Sequence, residues 1–267
     1  KLLRALGVNR ISLGAQSFDD AYLKFLGRTH SALDIQKCFG LLRKAGFRNI
    51  SVDLMFGFPG QSLKQLRKDL DAAVKLKSEH LSIYNLTIEA NSRFNRFRPS
   101  LPNSDACGKF YRFLIEYLEE NGFKQYEISN FAKPKKESAH NCLYWQRQDY
   151  IGLGLGAHSH LAKESFWNVS KLDAYLMNVQ GGQSAREGSE ALDKGAQLVE
   201  ALLFGLRMNK GVRLGALQKR FGCAIPLDKK KKIKEFVDRG FLELKKDTLK
   251  ATLNGLLVLD ELCGYLI

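Results

Sequence analysis

The chain of 267 residues has no long apolar run and no cysteine pair at metal-binding spacing. A membrane-spanning helix needs about 18 consecutive apolar residues, so we expect no stable membrane insertion, and no secretory signal is found. The five cysteines are odd in number, widely spaced and never arranged as Cys-x-x-Cys. This pattern predicts a cytoplasmic protein without a disulfide framework, and argues against a zinc or iron–sulfur site built from this chain alone.

The sequence also lacks an initiator methionine. Residues 1–7 are typical of the last turns of a helix that a glycine ends. We therefore expect a fragment that begins inside a repeat of strands and helices.

The formal charge of +14 is not concentrated in one segment. Such an excess favours nucleic acid, anionic lipid or a carboxylate-bearing small molecule as partner. Residues 186–267 carry 16 basic and 11 acidic side chains, so only +5 lies there. Because nucleic-acid-binding modules usually concentrate their charge, we expect no nucleic-acid partner, and interpret the lysines at 229–232 as a solvated helix face.

Strand-like and helix-like segments alternate along residues 1–180. Segments 7–13 and 46–52 superimpose at an offset of 39 residues, each a glycine followed by a short strand. The other strand-like segments are 80–84 and 122–128, and the helix-like segments are 31–45, 62–77 and 104–120. This alternation predicts an α/β fold in which residues 1–180 form the C-terminal part of a partial TIM-like barrel.

Polar residues at the predicted strand ends form a first candidate site. The apolar strand before Asp53 ends there, and Gln16 and Thr87 follow other strands, while Arg28 lies one helix beyond Gln16. Ligands of parallel sheets bind outside the carboxyl ends of the strands, so we expect these side chains on one rim. The Asp53 carboxylate could hold a ribose of the ligand, and Arg28 could pair with a carboxylate of the ligand. These residues therefore suit a polar ligand that carries both groups. Taken singly, each of these residues is more readily interpreted as structural, for example as a cap or loop residue, than as functional.

A second candidate site is the segment His140-Asn141-Cys142-Leu143-Tyr144-Trp145. If it is helical, we expect His140, Tyr144 and Trp145 to share one face. An imidazole beside two large rings suits a flat, iron-bearing macrocycle. The alternative is a hydrogen-bonded histidine at an aromatic core edge.

The glycine run that follows, Gly152-x-Gly154-x-x-Ala157, has the form of a dinucleotide fingerprint. No clear strand precedes it, and residues 157–165 are polar and predicted irregular, so we expect close backbone approach instead. His158 and His160 lack a third ligand nearby, which argues against a metal site.

Residues 186–267 predict a winged-helix-like α+β domain after a turn-rich linker at 181–184. The predicted elements are helices at 195–208, 214–221 and 227–239 and a ribbon at 241–244 and 248–251. A DNA-binding winged-helix protein therefore stays an alternative.

Three ordered motifs, at residues 9–18, 53–61 and 81–86, resemble the radical S-adenosylmethionine proteins related to oxygen-independent coproporphyrinogen III oxidase. The resemblance covers nearly the whole chain, including a tail similar to that family's C-terminal domain. It implies S-adenosylmethionine contacts at Gln16, Arg28 and Asp53, and also at Thr87 and His158, where the side-chain types differ from the oxidase.

Within the family, residues 126–132 and 140–145 resemble the haem-chaperone branch. Residues 140–145 match its His-Asn-x-x-Tyr-Trp haem signature, which implies haem contacts at His140, Asn141, Tyr144 and Trp145. The implied function is to bind haem and transfer it to an acceptor protein. The alternative is the oxidase, which oxidatively decarboxylates porphyrinogen propionates.

The family's Cys-x-x-x-Cys-x-x-Cys motif is absent from residues 1–267. In the family it holds a [4Fe-4S] cluster to which S-adenosylmethionine binds, so we expect the cluster cysteines upstream and no metal ligand within this chain. The implied cofactors are the [4Fe-4S] cluster, S-adenosylmethionine and haem.

Overall fold

A computed structural model shows an α/β chain that forms two compact units, unit 1 (Lys1–Glu137) and unit 2 (Ser138–Ile267). The structure describes residues 1–90 and 92–266, so positions 91 and 267 of the two predicted domains lie outside the described residues. The predicted boundary between a barrel part at 1–180 and a C-terminal domain at 186–267 stays a prediction. Among the described residues, no helix combines the length and apolarity needed to cross a bilayer.

Unit 1 is built on an open, mixed sheet that forms a partial barrel. Its strands are β1 (Ile11–Gln16), β2 (Ile50–Phe56), β3 (His80–Asn85), β4 (Lys124–Glu127) and β5 (Asn130–Ala132), in the order β1-β2-β3-β5-β4. Its helices are α1 (Leu2–Ala5), α2 (Asp20–Phe25), α3 (Ala32–Lys44), α4 (Leu63–Lys75), α5 (Arg93–Phe97) and α6 (Ser104–Glu120). The parallel pairing of β1, β2 and β3 confirms the predicted repeat.

The prediction of a further parallel strand at 122–128 is wrong. Strands β4 and β5 form an antiparallel hairpin, and β5 pairs antiparallel with β3. Only two residues separate β4 from β5, whereas a parallel crossover needs a dozen or more.

Alternation along the strands gives the sheet of unit 1 an apolar and a polar side. Ile50, Val52 and Leu54 of β2 are at most 1% exposed, and Leu81 and Ile83 of β3 are equally buried. The helices complete this core with buried side chains that include Phe39, Leu70 and Leu114. The intervening residues include the polar Ser51, Asp53, His80 and Ser82, and this side of the sheet carries the first candidate site.

Unit 2 contains two antiparallel sheets, in the orders β6-β7-β8 and β10-β11-β9. The strands are β6 (His158–Leu161), β7 (Glu164–Asn168), β8 (Arg186–Ala191), β9 (Val212–Arg213), β10 (Leu242–Lys245) and β11 (Thr248–Ala251). The helices are α7 (Ala139–Trp145), α8 (Leu172–Gln180), α9 (Lys194–Leu206), α10 (Leu214–Phe221), α11 (Leu227–Asp238), α12 (Leu253–Leu257) and α13 (Leu259–Gly264). The helices and ribbon predicted for the tail are confirmed.

The prediction that residues 157–165 are irregular is wrong, because β6 and β7 form a hairpin. Its turn passes through Ala162 in the left-handed region, with φ of 55°. The strands are polar and show no apolar alternation, and β7 gains its second partner, β8, from about 20 residues further along the chain. Pairing with a distant strand leaves no local signal in the sequence.

Candidate functional site

Asp53 lies on the polar side of the sheet, inside β2 and not at its end as predicted. Leu54 and Phe56 continue the buried alternation, so the strand runs three residues further. The hydroxyl of Ser12 lies 2.8 and 2.9 Å from the two Asp53 oxygens, and that of Ser51 lies 3.1 Å from Oδ1. These bonds fix the carboxylate, which stays half-buried and keeps lone pairs for a ligand hydroxyl or ammonium group.

Gln16 lies beside Asp53 at the end of β1. Gly14 pairs with Asp53 across the two strands, and a bulge then sets Gln16 opposite Leu54. Gln16 adopts a left-handed conformation, with φ of 69°. Its Nε2 lies over Gly14, only 2.9 Å from where a Cβ would stand. The missing side chain at Gly14 therefore lets the Gln16 amide occupy the same side of the sheet as Asp53.

A buried hydrogen-bond chain supports Asp53 from below. His80 Nδ1 lies 2.8 Å from Ser51 Oγ, and His80 Nε2 lies 2.9 Å from Tyr126 Oη. With Ser51 donating to Asp53, neutral His80 donates from Nδ1 to Ser51, and Nε2 accepts from Tyr126. Burial, with a smaller contribution from the charge of Arg10, lowers the pKa of His80 to about 3. His80 is therefore a neutral link in this chain.

The sequence reasoning missed these partners of Asp53. The signal was present as polar residues at every second strand position, Ser51-x-Asp53 in β2 and His80-x-Ser82 in β3, within otherwise apolar strands. In a strand this period places the polar residues on one side of the sheet.

A buried carboxylate, Asp69 of α4, holds the turn after Gln16. Ser17 Oγ donates to Asp69 Oδ2 at 2.7 Å, and the Phe18 backbone N–H donates to Oδ1 at 2.7 Å. Burial raises the pKa of Asp69 to about 6 from an ordinary 3.8, although both hydrogen bonds favour the ionised form. Asp69 thus anchors the chain next to Gln16 and remains ionised at neutral pH.

We expect Asp69 to make unit 1 less stable as the pH rises from 3.8 to about 6. In this window the folded state retains a proton that the unfolded chain has lost, so the contribution of Asp69 to the free energy of unfolding falls by about 3 kcal/mol. Asp69→Asn keeps an acceptor for Phe18 and removes this titration, so the difference in stability between wild type and the variant changes by that amount across the window, whereas the titration of His80 is common to both proteins. Native-state hydrogen exchange of α4 amides, corrected for intrinsic rates, measures both profiles. Parallel profiles for the variant and wild type would contradict the assignment.

The other predicted contacts of the first site are more scattered. Arg28 is exposed in the turn after α2, and among the described residues no hydrogen bond or ion pair joins its side chain to Gln16 or Asp53. Thr87 is exposed after β3 and donates to Glu89 at 3.2 Å. His158 begins β6 in unit 2 and stacks on Trp167, with ring centroids 5.8 Å apart. The structure brings Gln16 and Asp53 together, and the convergence of the full set stays a prediction.

The second candidate site is the helix α7, which Ser138 caps by accepting from the Asn141 backbone N–H. One helical turn separates His140 from Tyr144, and the Tyr144 hydroxyl lies 2.6 Å from His140 Nε2. The ring of Tyr150 packs edge-on against Tyr144, with centroids 4.6 Å apart. The exposed imidazole of His140 therefore has a phenol on one nitrogen, and among the described residues no hydrogen bond reaches its Nδ1.

Trp145 does not share the face of His140 and Tyr144, so that part of the prediction is wrong. Five residues correspond to 500° of helix rotation, which turns Trp145 about 140° away from His140. Its ring packs edge-on against Phe204 of α9, at 6.3 Å between centroids, and lies under the Arg207 guanidinium. Trp145 therefore docks α7 onto α9.

Arg147, which the sequence reasoning also missed, fixes the end of α7 in unit 2. Its side chain is 2% exposed and forms an ion pair with Glu200 of α9. Arg147 Nη1 donates to His160 Nε2 at 3.1 Å, which leaves His160 Nδ1 to donate to Ser165 at 3.1 Å. Burial and the charge of Arg147 lower the pKa of His160. Arg147 thus joins α7, α9 and β6 through one buried charge.

Comparison with known proteins places this geometry in a family. Residues 1–73 match the family model of the Radical SAM superfamily, and residues 192–258 match that of the HemN C-terminal domain. The solved structure of coproporphyrinogen III oxidase (HemN) from Escherichia coli superimposes with a TM-score of 0.82, at 19% identity, over 99% of this chain and 65% of that chain. At this identity the match shows the fold, and the chain spans about two thirds of that enzyme's length.

Two curated relatives are more similar in sequence. Heme chaperone HemW from Lactococcus lactis is 34% identical over 259 residues, covering 96% of this chain and 68% of the relative. Heme chaperone HemW from Bacillus subtilis is 34% identical over 269 residues, covering 99% of this chain and 71% of the relative. With both family models and these relatives in agreement, the chain belongs to the HemW family of HemN-like radical SAM proteins.

Proposed function

We propose that this protein is a haem chaperone that binds haem at α7 and transfers it to an acceptor protein. The observation that carries the proposal is the exposed His140 imidazole, paired with Tyr144 in a chain 34% identical to two proteins named heme chaperones. Histidine and tyrosine are both known axial ligands of haem iron. The neighbourhood suits a flat apolar molecule, because Ile151 and Leu153, which follow Tyr150, are 63% and 88% exposed.

His140, Asn141 and Tyr144 contact haem in this proposal, while Trp145 contributes from the α9 side. A bound haem that exchanges to an acceptor needs an open site, and His140 is exposed whereas Asn141 and Tyr144 are half-buried. The overall charge of +14 favours the haem propionates or an acidic acceptor surface. A cytoplasmic location and the absence of a nucleic-acid partner remain part of the proposal.

The polar side of the sheet is proposed to hold S-adenosylmethionine. When bound to a reduced [4Fe-4S] cluster, this cofactor supplies the radical chemistry of the superfamily. Asp53 would accept from ribose hydroxyls, Gln16 would donate or accept through its amide, and exposed Arg28 would pair with the carboxylate. Thr87 and His158 complete the proposed contacts. The cluster cysteines are proposed to lie upstream of Lys1.

Titration of haem into the full-length protein tests the chaperone function. We expect His140→Ala to weaken haem binding at least tenfold and to shift the Soret band, because the variant loses the iron ligand. Tyr144→Phe keeps the ring and removes the hydroxyl that holds His140, so we expect a smaller loss. Absorption spectra at increasing haem concentration measure both effects.

His30→Ala is the matched control, because His30 is a half-buried histidine of unit 1 outside the proposed haem site. Equal affinity and an unchanged Soret band in His140→Ala would refute the haem assignment. Anaerobic turnover of coproporphyrinogen III by the reconstituted full-length protein would favour the oxidase instead.

A further inference from the structure

Unit 2 contains an open cavity of about 510 Å³ behind α7, called here the α9–α10 cavity. It is defined by Trp145, Met208, Val212, Arg213, Leu217 and Arg220. Small-molecule sites in proteins are typically concave, predominantly apolar and between about 300 and 1,000 Å³ in volume. The cavity has this size, and its position links the haem signature helix to the C-terminal helices.

The floor of the cavity is apolar and closely packed. Met208, Val212 and Leu217 are between 4% and 9% exposed. Gly205 belongs to this floor, and a Cβ there would lie 2.2 Å from Val212 Cγ2, so α9 and β9 are in close contact beneath it. The indole of Trp145 adds a flat aromatic wall. Such a surface suits a planar apolar molecule.

The rim carries charge of one sign. Among the described residues that line the cavity, Lys210, Arg213 and Arg220 are cationic and none carries a carboxylate. Arg220 donates to the carbonyl oxygens of Gln146 and Arg147, at 2.8 and 2.5 Å, and therefore keeps its full positive charge at the end of α7. Carbonyl oxygens do not neutralise a guanidinium, so the potential at the rim is positive.

The other two cations are free to bind a ligand. Arg213 Nε lies 4.0 Å from Asp247 Oδ2, a long contact on a side chain that is 76% exposed. Lys210 is exposed, and no ion pair to it is found within residues 1–90 and 92–266. An anionic group at the rim would gain two charge-assisted bonds and displace no strong internal pair.

We propose that the α9–α10 cavity binds a flat, apolar molecule that carries carboxylates. Resting on the proposed function, we infer that this molecule is haem, whose macrocycle packs on Trp145 and the apolar floor while its propionates pair with Lys210 and Arg213. In this proposal Trp145 contacts haem from the cavity. It could not do so from the face of α7 that carries His140, because the indole points towards α9. It also extends the haem site into the C-terminal region of unit 2.

The test compares haem with haem dimethyl ester, in which both propionates are uncharged, using the full-length protein. We expect Lys210→Ala/Arg213→Ala to weaken haem binding about tenfold and to leave ester binding unchanged, so the preference for the free acid disappears. The control is Lys219→Ala/Lys230→Ala, which removes the same charge from exposed positions outside the cavity. The control should bind haem as wild type does.

Equal haem affinity in the cavity variant and the control, or equal affinity of wild type for haem and its ester, would overturn the cavity assignment. If the cavity variant matches wild type while His140→Ala loses haem, the proposed function stands and this inference fails. If the cavity variant loses haem while His140→Ala does not, the cavity is the site and the His140 assignment fails. If wild type binds no haem, both fail. A second readout is quenching of Trp145 fluorescence by iron-free protoporphyrin in a Trp167→Phe background, which leaves Trp145 as the one tryptophan of residues 1–267.

Discussion

Acidification from pH 7 to pH 3 is expected to destabilise unit 1 through a single buried histidine, His80. The side chain is fully buried and neutral, held between Ser51 and Tyr126, and its pKa is lowered to about 3. Between pH 6.5 and 3 the unfolded chain binds a proton that the folded state excludes, so stability falls as the pH falls. Across this whole pH range the loss of stability amounts to about 5 kcal/mol.

His80→Gln isolates this effect. Glutamine offers a donor and an acceptor and does not titrate, so we expect the variant to lose stability at pH 7 and to approach or exceed wild type at pH 3. Asp69 titrates in the opposite direction, but it is present in both proteins, so the difference between them at each pH removes its contribution. The measurement is native-state hydrogen exchange of the β2 and β3 amides, because both tryptophans, Trp145 and Trp167, lie in unit 2 and cannot report on unit 1.

His30→Gln is the control for the same experiment. His30 also lies in unit 1, its Nε2 is 3.5 Å from the Ala15 carbonyl, and it takes no part in the hydrogen-bond chain of Ser51, His80 and Tyr126. We expect its pH profile to follow wild type. A constant difference between wild type and His80→Gln from pH 7 to 3 would show that His80 does not titrate as inferred.

Much of the fold could be predicted because its signals are local. Ser31 forms a capping box with Asp34, and Ser62 forms one with Gln65. The two capping boxes begin α3 and α4 at the positions where the helical period of apolar residues begins. The tail helices likewise follow their apolar period, with Gly222 ending α10 in the left-handed conformation. Elements of this kind depend on a few neighbouring residues, so the sequence alone predicts them.

The errors concern pairing and direction, which local patterns do not specify. Strand β5 reverses the sheet because a two-residue turn follows β4, and the polar strands of the β6–β7 hairpin depend on β8 for pairing. At the two candidate sites, residue types directed the prediction to Asp53 and His140, and their roles stay predictions. The residue types did not reveal that Ser51 and His80 support Asp53, or that Trp145 faces α9, because those contacts join residues distant in sequence.

Removal of Glu200 is expected to cost unit 2 about 3–5 kcal/mol, since it leaves the Arg147 guanidinium buried and unpaired. The Arg147 side chain is 2% exposed, and the His160 ring that accepts its other hydrogen bond is neutral and cannot balance the charge. Glu200→Ala should therefore strongly lower the urea concentration at the midpoint of unfolding, followed by tryptophan fluorescence. Trp145 reports on this region because its ring packs on Phe204, one turn along α9 from Glu200. It should also weaken haem binding, because the end of α7 loses its anchor.

A second arginine–glutamate pair in the same unit provides the matched control. Arg186 and Glu164 join β8 to β7, but their side chains are 35% and 42% exposed, so water solvates either partner alone. We expect Glu164→Ala to shift the urea midpoint far less than Glu200→Ala does. Equal losses for Glu200→Ala and Glu164→Ala would contradict a buried charge at Arg147.

The double variant Arg147→Met/Glu200→Leu separates charge burial from packing. It removes both charges and keeps apolar volume, so we expect it to recover most of the stability lost in Glu200→Ala. Recovery without haem affinity would show that the Arg147 charge, and not its packing alone, holds α7 in its binding orientation. Recovery of both stability and haem affinity would mean that α7 needs an apolar contact with α9 but no buried ion pair. If neither stability nor haem affinity recovers, the loss comes from the missing hydrogen bond between Arg147 and His160.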